Sequence, residues 1–420
     1  MNIQTKLTGL RSKCFGSRIA QSTVIGVYLL SSSLWLHTAE RSVLAFLMVL
    51  FSFLLLYYAD KLPVPVRIAV GGGVFCLLIP LVTDANPYYL EVVSNVGIFI
   101  ALALGLNIVV GFAGLLDLGF VAFFAIGAYT YAIFATKQAN QFIPPAFMQF
   151  PLSGEWFWLF LVIGLFVAAL FGVILGFPAL KVKGDYLAIV TLGFGEIVRI
   201  VFNNLDRPVN ITNGSRGLPN IAQPELFGIA FKPIHYYYLI LIVVAITIIV
   251  IRRMENSRLG RSWVAIREDE LAAQASGIRL LRTKLFAFAI GASFAGVMGV
   301  IFAAKQTFID PSSFVLMQSI SIVVMVVLGG SGSIPGVIVG AAIVTVLNVQ
   351  VLQEFATWLK GLSFISIPPE LDPSQYQRLI LGIILVLFAI FRPKGIIPAR
   401  RPSIDMEAIR RSDKEGKPLE

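Results

Sequence analysis

The chain is a succession of apolar windows, each about as long as a helix that crosses a bilayer. They fall at residues 19–38, 42–59, 66–83, 92–110, 113–135, 156–177, 186–202, 236–251, 285–304, 314–329, 334–352 and 376–391. A span needs roughly 20 apolar residues, because about 30 Å of hydrocarbon is crossed at 1.5 Å per residue. The windows are continuously apolar rather than alternating, which argues against a β-barrel. Only 13% of the residues are charged, against about 25% in a soluble domain. The expected fold is an all-α polytopic membrane protein of roughly 10–12 transmembrane helices, the lower count applying if Gly-interrupted windows are re-entrant.

The gaps between windows set the sidedness. Basic residues gather in the N-terminal tail, at 60–67, at 181–184, in 252–284 and after Arg392. The segments 83–91, 138–155 and 353–375 are poor in them. Counting spans puts the basic gaps on one side, so by the positive-inside rule that side and both termini are cytoplasmic. Arg207, Arg216 and Lys232 in the outer segment 203–235 oppose this mildly. The net charge of +10 therefore reports topology, not nucleic-acid binding. The N-terminal window lacks a small-residue cleavage site after it and is read as an uncleaved span. Cys14 and Cys76 are placed so that no structural disulfide is expected.

Three windows carry polar or glycine punctuation. In 105–129 five glycines surround Asp117. Such a cluster predicts a broken helix or close packing, and irregular backbone at membrane depth survives only against protein or a water-filled cavity. Two roles fit Asp117: it lines or braces a translocation path, or it caps a half-helix beginning at Leu118. In 184–200, Glu196 and Arg199 share a helix face at i,i+3 and are expected to pair, with Thr191 just before them. Asn107, Asp117, Thr191 and Glu196 are the candidate substrate-path residues. In 328–340, Gly332, Gly336 and Gly340 recur every four residues, a stripe for close helix contact in lipid. The turn at 210–218 (NITNGSRGL) has free amides that suit a small-anion nest, or serves as an ordinary surface turn.

One stretch breaks the apolar rule. Residues 252–284 hold eight Lys/Arg and four Asp/Glu between two long apolar windows. Val264, Leu271, Ala275 and Ile278 follow helical spacing, with Gly260 as start and Gly277 as stop, so a short amphipathic cytoplasmic helix is expected. No G-x-x-x-x-G-K-[ST] motif, no metal-ligand spacing and no nucleophile–base arrangement occurs. No cofactor is expected, and an intramembrane enzyme is disfavoured.

The segment GRSWVAIREDELAAQASGI (260–278) resembles the coupling loop of ABC importer permeases, in which an Ala-Ala pair is followed after three residues by Gly: here Ala272, Ala273 and Gly277. Leu271 stands where that motif has Glu, a departure seen in branched-chain amino acid permeases of LivM type. GLLDLGFVAFFAIGAY, GDYLAIVTLGFGEIVRI, VVLGGSGSIPGVI and RPKGIIP resemble the same branch. The urea-permease branch shares several of these stretches. The resemblance divides the chain into a tail with additional spans (1–88), a permease domain (89–400) containing the coupling loop 252–284, and a polar tail (401–420). It implies a non-catalytic subunit in a bacterial inner membrane, importing branched-chain or hydrophobic L-amino acids. The implied partners are a second, LivH-like permease, two ATPase subunits and a periplasmic or lipid-anchored binding protein. Gly260, Arg267, Glu268, Asp269, Glu270, Ala272, Ala273 and Gly277 would couple to the ATPase. The alternatives are a urea or short-amide permease subunit and a stand-alone transporter driven by protonation of Asp117 or Glu196.

Overall fold

Helices form in every apolar window, with one long interruption in the window 113–135. The computed structural model describes residues 18–38, 43–59, 62–83, 87–144, 149–182, 184–226, 228–351, 377–392 and 395–399. The basic N-terminal tail with Cys14, the 353–375 loop and the 401–420 tail, on which sequence expectations were placed, lie outside these residues.

The helices in chain order are α1 Arg18–Thr38, α2 Val43–Leu50, α3 Ser52–Tyr58, α4 Val64–Gly73 and α5 Ile79–Thr83, then α6 Pro87–Asn107, α7 Val121–Ala132, α8 Phe157–Ala179 and α9 Asp185–Asn204. They continue with α10 Pro233–Glu255, α11 Arg258–Glu268, α12 Glu270–Ala275, α13 Leu280–Gln306, α14 Leu316–Gly329, α15 Ile334–Val346 and α16 Gln377–Phe391. Single π turns, Val74–Leu78, Ile108–Phe112 and Leu347–Val351, join α4 to α5 and extend α6 and α15. Four two-residue strands pair as β1 Leu218–Pro219 with β4 Phe308–Ile309, and β2 Glu225–Leu226 with β3 Ile229–Ala230. Among the described residues, seven helical runs are long and apolar enough to span a membrane.

The bundle is organised around α13, and the reason is backbone proximity. A Cβ added at Gly296 would lie 2.4 Å from the Ala168 side chain and from the Gly164 carbonyl on α8. One at Gly127 of α7 would lie 2.1 Å from the Gly296 carbonyl, and one at Gly299 2.2 Å from the Phe124 carbonyl. Gly291 and Gly105 bring α13 against α6 in the same way. In lipid no hydrophobic effect drives helices together, so such small-residue seams supply the dispersion contact instead. Gly336 and Gly340 of the predicted stripe make the equivalent seam between α14 and α15 against Gly329, whereas Gly332, the stripe's first member, lies in the turn before α15. Gly395, at φ +78°, tucks the chain against Gly330, and the amides of Ile396 and Ile397 bond the Leu328 and Gly329 carbonyls at 3.0 Å. The last carbonyls of α14 are thereby satisfied within the protein.

The N-terminal helices attach through a backbone irregularity. The π turn Val74–Leu78 disturbs the helical ladder, and the Phe75 and Cys76 carbonyls accept the Tyr237 and Tyr238 hydroxyls of α10 at 2.5 and 3.0 Å.

The connections gather at two ends. At one end lie 111–114, 252–284, 330–333 and 395–399, and at the other 133–144, 149–156, 205–226, 228–232 and 305–315. The second end is tied by the β1–β4 pair and by Lys305 of α13, which pairs with Glu91 and lies 3.1 Å from Asn95 on α6.

Candidate translocation and coupling site

The window at 113–135 is not one span. After the π turn the chain runs without helix from Ala113 to Phe120, and α7 has only 12 residues. At 1.5 Å per residue that is about 18 Å, roughly half of a bilayer core. The glycine cluster thus marks a broken helix, as expected, and the break is built into its surroundings at both ends.

The turn into α7 and the helix's first amide are held from three places. Asp117 Oδ1 accepts from the Gly119 amide at 2.9 Å, Thr191 Oγ1 of α9 accepts from the Leu118 amide at 3.0 Å, and Ser319 Oγ of α14 accepts from the Val121 amide at 2.9 Å. Asp117 is 1% exposed, and its Oδ2 makes no hydrogen bond of good geometry. The half-helix begins at Val121, three residues later than the sequence suggested, because the chain turns through Gly119 first. A Cβ at Gly119 would meet the Thr191 carbonyl at 2.1 Å, so only glycine lets α9 lie this close. A small crevice lined by Asp117, Phe123, Thr191, Phe194 and Phe288 opens beside the turn.

On α9 the expected pair forms: Arg199 donates to Glu196 Oε2 at 2.8 Å. Both side chains are about one-third exposed, in a helix that otherwise presents Ile189, Ile197 and Ile200 outward. Charge at membrane depth is tolerated facing a partner or a water-filled cavity, not hydrocarbon.

Asn107 is fully buried. Its Oδ1 accepts from the Gly332 amide at 2.8 Å, clamping α6 to the turn between α14 and α15. Its Nδ2 finds no partner among the described residues. Asn107, Asp117 and Thr191 therefore all hold irregular backbone in place, and Asp117 and Thr191 meet at the same turn, while Glu196 stands one turn along α9. The 210–218 segment is a self-satisfied turn: Asn210 Oδ1 accepts from the Asn213 amide at 2.8 Å, and Asn213 Nδ2 donates to the Gly217 carbonyl at 2.8 Å. These internal bonds favour the surface-turn reading over the nest.

The polar stretch corrects the single-helix expectation. It forms two helices, α11 and α12, split at Asp269, whose backbone is extended and whose Oδ1 accepts from the Leu271 and Ala272 amides at 2.8 and 3.0 Å. Asp is a preferred N-cap, so it ends one helix by starting the next. Ser257, not Gly260, starts α11, accepting from the Gly260 amide at 3.2 Å. Gly260 is instead a contact point: a Cβ there would lie 2.3 Å from the Met254 carbonyl. Gly277, at φ +86°, does end α12.

The buried face is also not the one predicted. Trp263 and Ile266 are buried, and Trp263 Nε1 donates to the Thr283 carbonyl at 2.7 Å, docking α11 on α13. Glu270 pairs with Lys284, and Ala273 is buried beneath α12. Glu268, Ala272 and Gly277 face outward, and Leu271 is 75% exposed. Arg267 turns the other way. Its guanidinium bonds the Gly111 carbonyl and lies 3.4 Å from Ser331 Oγ. That carbonyl belongs to the end of α6, where the helix dipole is negative and the downstream helical donors are missing. A hydrogen bond to a charged donor contributes about 1.5–3 kcal/mol.

Sequence reasoning did not single out Ser319, Trp263, Lys284 or Ser331. Ser319 carried a usable signal, a hydroxyl inside an apolar window that has to find a partner there.

The family of branched-chain amino acid transport system permease components matches residues 88–389. The high-affinity branched-chain amino acid transport system permease protein LivM of Escherichia coli (strain K12) is 38% identical over 334 residues, covering 74% of this chain and 70% of that protein. The probable LivM of Methanocaldococcus jannaschii is 25% identical, covering 68% and 81%. The ribose import permease RbsC of Haemophilus influenzae is 24% identical, covering 75% and 89%. No solved structure matches the chain. With apolar helices, a broken half-helix and a polar two-helix unit at one end, the chain belongs to the branched-chain amino acid transport system permease family.

Proposed function

We propose that this chain is a transmembrane subunit of an ATP-driven importer of branched-chain or other hydrophobic L-amino acids in a bacterial inner membrane. The observation that carries the coupling part is the outward face of α11–α12. Leu271 stands exposed on a polar unit whose opposite face is anchored by Trp263, Ala273 and the Glu270–Lys284 pair. A large exposed apolar side chain on a firmly seated helix pair suits docking into an ATPase groove. Glu268, Ala272 and Gly277 surround it on that face. Arg267, Asp269 and Glu270 act from beneath by holding the unit in shape.

The pathway runs along the polar face of α9 and the unwound segment 113–120, against a second permease subunit of LivH type. The Glu196–Arg199 pair, about one-third exposed, supports this, since it needs a polar neighbour at membrane depth. Residues 89–400 form the permease domain, and 1–88 add a tail and helices; the family match beginning at residue 88 supports that division. The basic face and both termini are cytoplasmic, and the substrate is delivered by a separate binding protein.

The test is uptake by the chain co-expressed with candidate ATPase, second permease and binding protein. Labelled leucine, isoleucine and valine are expected to enter in an ATP-dependent manner, with excess urea or ribose failing to compete. Uptake by this chain alone, driven by a proton gradient, would refute the reading. Urea as the preferred competitor would move the substrate class while leaving the importer architecture intact.

A further inference from the structure

The polar unit and the broken helix, far apart in sequence, share one junction, and Arg267 is its centre. Four independent features meet there. The guanidinium donates to the Gly111 carbonyl, at the end of the π turn that extends α6. Its second nitrogen lies 3.4 Å from Ser331 Oγ, in the turn between α14 and α15. Its aliphatic stem lies flat on Gly114: a Cβ there would be 2.7 Å from Arg267 Cγ, and Gly114 sits at φ +70°. Gly332, at φ +85°, completes the pocket: a Cβ built on it would lie 3.4 Å from the Arg267 guanidinium nitrogen, and its amide is held by Asn107 Oδ1 at 2.8 Å. The glycines at 114 and 332 leave out side chains where this one side chain passes, and Gly111 leaves room for Asn107 and the Gly332 amide.

We propose that Arg267 is the positioning residue that transmits displacement of α11 to the unwound segment 113–120, rather than a contact to the ATPase. The proposal rests on the permease reading above. A carbonyl at the end of α6 with no helical donor downstream is held by a group on a different, surface-mounted helix. Movement of α11 must either carry Gly111 with it or release it. Three residues beyond Gly114, Asp117 holds the Gly119 amide in the turn that leads into α7, so either event changes the footing of the half-helix. Arg suits this position because its planar fork reaches two acceptors at once, which an ammonium does not.

The experiment compares wild type with R267M and R267K in the assembled complex with ATPase, second permease and binding protein, reconstituted in vesicles. Two quantities are read: ATPase co-purified per permease, and ATP hydrolysed per amino acid imported. R267M keeps the stem on Gly114 and removes the donors. The expected result is wild-type co-purification with ATP consumed per import raised roughly tenfold, the scale of a coupling free energy between sites. R267K is expected between the two. Wild-type stoichiometry in R267M overturns the proposal, as does loss of the ATPase from the complex, which would make Arg267 a docking residue. Should R267M fail to reach the membrane, R267K decides alone, and wild-type stoichiometry in it overturns the proposal. If no ATPase co-purifies with the wild-type chain, the permease-subunit reading itself fails.

Discussion

Replacing Asp117 by Asn and by Ala separates its hold on the Gly119 amide from the path role proposed for its charge. The carboxylate is 1% exposed, with Oδ1 bonded to the Gly119 amide at 2.9 Å and Oδ2 lacking a hydrogen bond. Asn keeps an oxygen in the same place, so the cap survives, and the neutral amide is less costly to bury than a carboxylate. Ala removes the acceptor and leaves the Gly119 amide buried without a partner, a loss of about 1–3 kcal/mol. The expected order of thermal stability of the purified protein is Asn equal to or above wild type, and Ala below both. Transport divides the roles differently. If the charge serves the path, D117N imports at a rate reduced by roughly an order of magnitude although it folds as well as wild type, a difference of about 1.4 kcal/mol in the barrier. The assay is initial uptake normalised to folded protein in vesicles, beside a melting curve of the same preparation. Wild-type uptake by D117N would sink the pathway role and leave Asp117 as a cap alone. A D117A protein as stable as wild type would refute the capping energetics.

Three further outcomes follow from the same geometry. Trp263→Ala removes a fully buried indole and its bond to Thr283, so α11 should come off α13 at a cost of about 3–5 kcal/mol; limited proteolysis should then cut within 258–284, and continued protection would contradict it. Leu271→Asp changes a side chain that is 75% exposed, so stability should stay within about 0.5 kcal/mol while ATPase co-purification falls. Glu196→Gln leaves Arg199 without its partner in the membrane, a penalty on the scale of about 2.5–3.5 kcal/mol; the double change with Arg199→Gln should recover folded yield, and additive losses in that cycle would show that the pair is not coupled.

Much of the fold was legible because bilayer thickness imposes a length on every apolar window, and helices formed in those windows, the stretch 113–120 excepted. The broken helix was legible too, since five glycines around Asp117 have few other uses at that depth. The i,i+3 spacing sufficed for the Glu196–Arg199 pair, which is local to one helix. What could not be read was anything decided by contacts distant in sequence. Asn107 looked like a path residue because a buried amide in a span needs a reason, and its reason lies 225 positions away at Gly332. The polar stretch looked like one helix because Asp269 is acceptable in a helix by composition; its capping of Leu271 and Ala272 is a choice made by the folded backbone. Arg267, Glu268 and Asp269 are adjacent and were grouped together, yet one turns inward, one outward and one caps a helix.

The glycine seam of α13 has a mechanical consequence. Where a carbonyl on one helix lies about 2 Å from the space a methyl would need on the next, as at Gly127, Gly296 and Gly299, the helices are keyed. A slide of even one residue drives an alanine or valine into backbone. Helices α7, α8 and α13 are therefore a stator, one block that can tilt but not shear. Sliding is least opposed along α9, most of whose surface is uncommitted, with Gly119 keying it to the unwound segment at Thr191.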